Sequence, residues 1–538
     1  MELNYDYIVV GSGATGAIAS HFLVESGVTV AVLDVGIEDT TYKNQIPSKD
    51  FLSIRKEEEE QYRYFLGERF EGIPWGKGRV GSQLTPPRGY LTQAVEKYIP
   101  FSSSSFFPME SLAKGGLGGG WGLGCYVFSE LELRAIGLND LEMQTAYEKV
   151  ASYIGISGSY DDSNPYCLRD LKSIMPSSKI EHNLEGIFST YHKKKNKLND
   201  KGFYLGRSAL ALLTEDKGDR KAVAYKDMDF WSDTDKSAYR SWITIDELNK
   251  KTNFVYHSQC LVLKFEELDN QVKVFVKRTD TNEEQVFTCK KLILSPGVLG
   301  TARIVSRSFE YKKQKLPIIC NPYSYIPCIQ WKMLGKIPEQ YKTSLGQLVL
   351  YLDENQNNLD VSIAALFSYR SLLLFKLIKE SPLNFRDSRF LMQYLQSSFT
   401  IAGIHHSEKG STSKYIQLLP DDASFTLDKL IGEYIQSDQE IERNFLREKK
   451  FKSALGLLGC LPLKTVNTTH GGSIHYVGTL PFDTTGSLFS LFPNGKLAGT
   501  QNVYVADGSG FKYLPGKGLT LTLMANAYNV AKNVLKNE

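Results

Sequence analysis

The sequence predicts an α/β fold, with strand–helix alternation at both ends of the chain and a mixed region between them. Three observations carry that expectation. A short β-branched run, Tyr7-Ile-Val-Val10, enters a glycine turn and then a helical pattern. Strand-like runs return between Phe254 and Leu294. Near the C-terminus, Asn502-Val-Tyr-Val-Ala506 reads as a strand and Leu519 to Val530 as an apolar helix. The 538 residues are 42% hydrophobic and 23% charged, enough to bury a large core without disulfides or structural metals.

Several classes are set aside by the same composition. A net charge of +3 provides no broad field for nucleic acid, and no recognition motif for it occurs. The first residues lack the basic-then-apolar pattern of a signal peptide, and no run of about 18 uncharged apolar residues is present. Seven scattered cysteines without a Cys-x-x-Cys predict reduced thiols in a cytoplasmic protein, with no disulfide frame and no metal site.

The first unit runs strand, glycine turn, helix, strand. In Gly11-Ser-Gly13-Ala-Thr-Gly16, Gly11 permits the tight turn, Gly13 lets the backbone approach a pyrophosphate, and Gly16 lets the helix pack on the strand. The second strand, Val28 to Leu33, closes on Asp34, which can accept hydrogen bonds from ribose hydroxyls. In register, these features predict a dinucleotide site.

Residues 115–124 contain seven glycines interleaved with Leu117, Trp121 and Leu123. A flexible linker would not need the apolar residues; backbone passing close to a large flat ligand explains both. The run Tyr191-His-Lys-Lys-Lys-Asn-Lys reads as a solvated surface loop. Strands follow at Phe254-Val-Tyr256, Leu261-Val-Leu263, Val272 to Val276 and Lys291 to Leu294, then Ser295-Pro-Gly297 and a helix from about Thr301. Gln347 to Leu352 is strand-like. His470-Gly-Gly-Ser-Ile-His475-Tyr-Val-Gly478-Thr479 precedes the C-terminal strand, which ends in Ala506-Asp-Gly-Ser509.

Competing motif readings fail on single residues. Asp507-Gly-Ser-Gly510 lacks the glycine that a nucleophile elbow places two before its serine. Gly516-Lys517 lacks the P-loop Ser/Thr at 518 and its glycine at 511. A simple NAD dehydrogenase would leave the Asp507 segment unexplained.

Together these pieces resemble the glucose-methanol-choline (GMC) oxidoreductases, FAD-dependent enzymes that mostly oxidise alcohols. The most specific parts are the His-x-x-Gly-Thr pattern at His475 to Thr479 and Ala-Asp-x-Ser at Ala506 to Ser509. The resemblance implies a Rossmann-type FAD-binding domain from 1–160, 241–310 and 470–538. An α+β substrate domain, an antiparallel sheet covered by helices, would be inserted as 161–240 and 311–469. Gly11, Gly13 and Gly16 would hold the FAD pyrophosphate, Asp34 the adenosine ribose, and Val262 the adenine. Gly119 and Gly120 would lie near the flavin, Asp507 and Gly508 at the diphosphate, and Leu519 and Thr520 at the pyrimidine edge. Noncovalent FAD is expected, since 111–128 has no His and only Cys125.

The resemblance makes His475 the catalytic base, taking a hydroxyl proton while hydride passes to flavin N5; imidazole suits this because its pKa of ~6.5 lies near working pH. His470 is the spare candidate, and His405-His406 reads as surface or pocket rim. The family places a second His or Asn shortly before the C-terminal helix, where this chain has Gly518. Lys517, water or a group from the substrate domain must then substitute; Lys517 is expected to assist the substrate oxygen or the reduced flavin's negative charge. The partners would be a small alcohol, carbohydrate-like by analogy, and an electron acceptor. A lyase-type flavoprotein and a noncatalytic FAD-binding protein are the alternatives that the bare position 518 leaves open.

Residues 361–400 are apolar with five basic residues against two acids. Val361 to Lys379 reads either as a helix buried between the domains or as a peripheral membrane surface meeting anionic lipid.

Overall fold

The β-branched run near the start of the chain forms the strand Leu3–Val10 in the computed structural model. The structure describes residues 3–42, 45–47, 49, 51–69, 86–225, 235–310, 314–336, 345–368, 382–420 and 428–536. Tyr7 to Val10 and all of Val30–Leu33 are buried on both faces, which is why they read as continuous apolar runs. The two strands pair in parallel, and Leu3–Val10 also runs parallel to Glu284–Leu294. Phe254–His257 extends the sheet beyond Val30–Leu33.

Glu284–Leu294 serves two further neighbours. Its first half pairs antiparallel with Gln271–Arg278, and its last three residues pair parallel with Val503–Val505. Cys260–Leu268 completes the antiparallel edge. Tyr7 and Val9 pack with Ala17, Leu23, Ala527 and Val530 of the helices Ala14–Glu25 and Thr520–Lys536. Ile8 and Val10 join the larger core. The chain's two ends therefore meet on one sheet.

A second sheet is antiparallel and runs in the order Leu461–Pro462, Tyr323–Ile329, Phe399–His405, Ser362–Ser368, Leu348–Leu352, Phe203–Arg207. Its two faces separate with period two. Ile326, Leu350, Leu366 and Ile404 pack with Leu184, Ile187, Phe451 and Leu455 of the helices His182–Asn199 and Asp438–Leu457. Tyr323, Tyr325, Ile363, Ala365 and Phe367 face the other way and line the cavity described below. A smaller sheet pairs Phe101–Ser102 with Lys429–Tyr434, so early and late segments interleave there.

Two local expectations change. The lysine run after Tyr191 is helical, within His182–Asn199; Leu184, Ile187, Tyr191 and Leu198 make a buried stripe and most of the lysines occupy the opposite face. Ser362–Ser368 is a strand rather than the start of a helix. With most of both faces covered, its alternation is hidden, and a buried strand then mimics an apolar helix. Residues 369–381, most of that proposed helix, lie outside the described residues. Beyond them Asn384 caps the helix Phe385–Leu395 by accepting from the Asp387 amide, and Phe390 is 74% exposed there. No helix among the described residues is long and apolar enough to cross a membrane.

Candidate active site

The glycine turn needs its glycines for different reasons. Gly11 has φ +90°, and a Cβ there would lie 2.7 Å from Ser295 O; a Cβ on Gly16 would lie 1.9 Å from Gly11 O. A Cβ on Gly13, in contrast, would meet nothing within 4 Å, because Gly13 borders a cavity of about 530 Å³. Gly13 is the N-cap of helix Ala14–Glu25 and offers no side-chain cap, so the first helical N–H groups are left for an anion.

The same cavity gathers most of the residues singled out in the sequence. Gly11, Gly13, Asp34, Gly120, Val262 and Asp507 line it, as do Gly508, Gly518, Leu519, Thr520 and His475. Gly16, Gly119 and Lys517 do not. Gly16 packs on Gly11, and Gly119 faces Leu91, which a Cβ would approach to 3.0 Å. The Lys517 ammonium is fully buried 2.7 Å from Glu132 Oε2 and 2.9 Å from Asn358 Oδ1, in an ion pair away from the cavity. His470 is likewise absent from the lining and packs on the Tyr434 ring.

Asp34 accepts from Ser12 Oγ and from Tyr256 Oη, both on Oδ2. Burial pushes its carboxyl up to about 6, against those two bonds. Ser12 Oγ also accepts from the Gly115 amide at 2.8 Å, tying the glycine-rich segment to the turn. Asp507 is held by Ser509 N and Oγ at 3.0 and 2.6 Å and by Thr301 Oγ1 at 2.6 Å. The two C-terminal motifs join directly, since Gly478 N donates to Gly508 O and Leu480 N to Ser509 O.

His475 is placed by a short strand pair, Ile319–Cys320 against Tyr476–Val477, which sets Asn321 opposite it. Asn321 N donates to His475 O, and His475 Nδ1 lies 3.2 Å from Asn321 Oδ1. The Asn321 amide nitrogen donates to His406 O at 2.7 Å and Pro515 O at 3.0 Å. Its oxygen must therefore face His475, and Nδ1 must carry the proton. Nε2 is left as a lone pair with no partner among the described residues. Burial pushes His475 down to about 4, so the ring is neutral at ordinary pH. Ile474, just before it, has φ 60°, a left-handed conformation that a β-branched residue rarely adopts.

The sequence reading missed several lining residues. His405 stacks on His475 at 4.9 Å and on Tyr323 at 4.0 Å, so it belongs to the cavity wall and not the outer surface. His406 is buried, its Nδ1 2.8 Å from Ser362 Oγ. Arg303 is buried and pairs both its terminal nitrogens with Glu110. Asn321, Tyr323, Tyr325 and Phe367 come from the middle of the chain, where no motif marks them. Alternation along 323–329 was the one available signal.

These residues fit a dinucleotide cofactor. The uncapped helix N-terminus, the open space at Gly13 and the buried Ser295 hydroxyl, which has no partner among the described residues, supply donors along one wall. Gly508 and the start of helix Thr520–Lys536 supply backbone along the other.

No family model matches the chain, and no curated protein matches it. Solved structures do. Pyridoxine 4-oxidase from Mesorbium loti aligns over 99% of this chain and 99% of its own, at 12% identity and TM-score 0.59. A formate oxidase aligns over 99% and 98%, at 11% identity and TM-score 0.60. The formate oxidase of Aspergillus oryzae RIB40, solved to follow the effect of a mutation on FAD modification, aligns over 99% and 98% at 11% identity and TM-score 0.59. At such identities the likeness establishes a fold shared with these oxidases.

Proposed function

We propose that this chain is an FAD-dependent oxidoreductase that oxidises an alcohol, with His475 as the base. The single observation that carries the reading is His475 itself: a neutral imidazole, its Nδ1 proton committed to Asn321, presents a free Nε2 to the cavity that also holds the dinucleotide turn. An FAD-containing neighbour of the same fold supports the choice of cofactor. Gly11 to Thr15 would hold the pyrophosphate, Asp34 the ribose, Val262 the adenine, and Leu519 with Thr520 the ring.

Bound flavin would supply the acceptor for the hydride that leaves the carbinol carbon. The protein's part is proton transfer and placement. His475 Nε2 takes the hydroxyl proton as the carbon–hydrogen bond breaks. Cys125, the one cysteine within 111–128, is fully buried, donates to Leu123 O and does not line the cavity, which supports a noncovalent cofactor.

The purified protein should be yellow and release one FAD per chain on denaturation. His475→Ala should slow anaerobic flavin reduction by an alcohol ~10²–10⁴-fold while FAD content stays nearly constant. Binding of NAD and never FAD would sink the proposal.

A further inference from the structure

We infer that the substrate of this site is a flat aromatic alcohol, seated against the sheet face of Tyr323, Ile363, Ala365 and Phe367; the inference rests on the oxidoreductase reading above and narrows it. Register builds that face. Tyr325, Gly403 and Ala365 lie opposite one another across three strands, and Tyr323, His405 and Ile363 form the next row. A Cβ on Gly403 would come within 2.7 Å of the Tyr323 hydroxyl and 3.4 Å of the Phe367 ring, and one on Gly346 within 3.4 Å of that same ring. The two glycines let both rings lean over the sheet, leaving a broad apolar surface.

Position 518 adds to it. A Cβ on Gly518 would lie 3.0 Å from two carbons of the Tyr126 ring, so a side chain there would press on Tyr126, which would have to give way by a few tenths of an ångström. The place where the resembling family carries a polar side chain is bordered here by an aromatic ring that is 6% exposed.

Polar capacity at this end is small. The charged lining residues, Asp34, Glu110, Arg303, Arg307 and Asp507, belong to the segments around the glycine turn, Gly297 and Gly508. The hydroxyls of Tyr323 and Tyr325 pair with each other. What remains without a partner among the described residues includes the Tyr126 hydroxyl, Ser208 Oγ, His475 Nε2 and the ring nitrogens of His405. Those groups suffice for one carbinol oxygen. Over the face of Tyr323, Ile363, Ala365 and Phe367 a sugar's further hydroxyls would meet mostly carbon, whereas a planar ring gains face and edge contacts with Tyr323 and Phe367.

Calorimetric titration of the FAD-loaded protein with benzamide, which is planar and cannot be oxidised here, and with methyl glucoside tests this. Benzamide should bind at least about tenfold tighter, and Phe367→Leu should weaken it by about tenfold at unchanged FAD content. Gly518→Asn, which presses on the Tyr126 ring and adds a polar group beside it, should weaken it as well. Glucoside binding as tight as benzamide, or benzamide binding indifferent to Phe367→Leu, overturns the inference. Anaerobic reduction separates the two levels: bleaching by glucose and not by benzyl alcohol refutes the aromatic class and leaves the oxidoreductase standing. A protein without the visible flavin spectrum refutes the oxidoreductase reading, and benzamide titration of it still decides whether the aromatic surface binds a ring.

Discussion

Asn321 Oδ1 accepts from His475 Nδ1 at 3.2 Å, and the two residues are 154 positions apart in the chain. Because the Asn321 amide nitrogen is spent on His406 O and Pro515 O, the bond can run in one direction only. One asparagine thus fixes the tautomer of the imidazole, its ring plane, and the spacing between the strand ends that carry His406 and Pro515.

Asn321→Leu should therefore lower flavin reduction by about 10–100-fold, the cost typical of losing the group that orients a working histidine. FAD content should hold, because Asn321 is not part of the dinucleotide wall. Asn321→Asp keeps an acceptor at Nδ1 but adds a negative charge, which stabilises the imidazolium. The acid limb of its pH–rate profile should move above that of the parent. Coincident profiles would show that Asn321 does not govern His475.

The parent profile itself has a defined position. With His475 pushed down to about 4, the rate should rise as pH increases through about 4 and be flat through neutrality. Stability follows the same groups. His475 at about 4 and His406 at about 3 are both below the ordinary value of 6.5, so between 6.5 and those values only the unfolded chain binds their protons. Their contribution is complete above 6.5 and is lost as pH falls toward 3 to 4. Asp34, raised to about 6, acts oppositely: its contribution is complete below its ordinary 3.8 and is lost as pH rises through about 6. His21, at about 4, and His405, also lowered, add to the histidine side, while Asp507, Glu408 and Glu448, all raised, add to that of Asp34. The histidines act from 6.5 downward and prevail, and thermal scans of the FAD-free protein from pH 7 to 4.5 should show a falling midpoint.

Lys517→Met should register as instability. The ammonium and Glu132 are both completely buried, and removing one partner strands the other charge, at a cost of about 3–5 kcal/mol. Replacing both, Lys517→Met with Glu132→Leu, should recover most of that loss. The rate of flavin reduction in folded Lys517→Met protein should stay near the parent's, since Lys517 does not line the cavity that holds His475. A large kinetic loss at unchanged stability would return Lys517 to the chemistry.

The glycine turn was readable from sequence because its physics is local: φ +90° at Gly11 and a Cβ-free contact at Gly16 each demand glycine within six residues. The opposite wall of the cavity was not. Tyr323, Phe367 and His405 come together through strand register, and register is a long-range property that no short window contains. Lys517 illustrates the reverse error. Sequence adjacency to Gly518 suggested a shared role, yet consecutive residues at the entry to a helix point in different directions. Ser362–Ser368 was misjudged because most of both its faces are buried, which erases the alternation that would have named it a strand.

The backbone at Ile474 allows a last test. A β-branched residue at φ 60° costs roughly 1–2 kcal/mol, and it stands directly before His475, with its N–H held by Gly471 O at 3.1 Å. Glycine removes that cost but also loosens the unfolded chain, worth about 0.4–1 kcal/mol the other way. Ile474→Gly should thus leave the melting midpoint near that of the parent. Its effect should appear in the rate, because a segment free to leave the left-handed conformation no longer holds the imidazole edge toward the cavity. Ile474→Ala serves as the comparison: it removes the cavity-lining side chain and keeps the backbone demand. Anaerobic reduction slowed several-fold in the glycine variant and spared in the alanine variant would locate the effect in the backbone. Equal losses in both would assign it to the isoleucine side chain and leave the left-handed turn without a catalytic role.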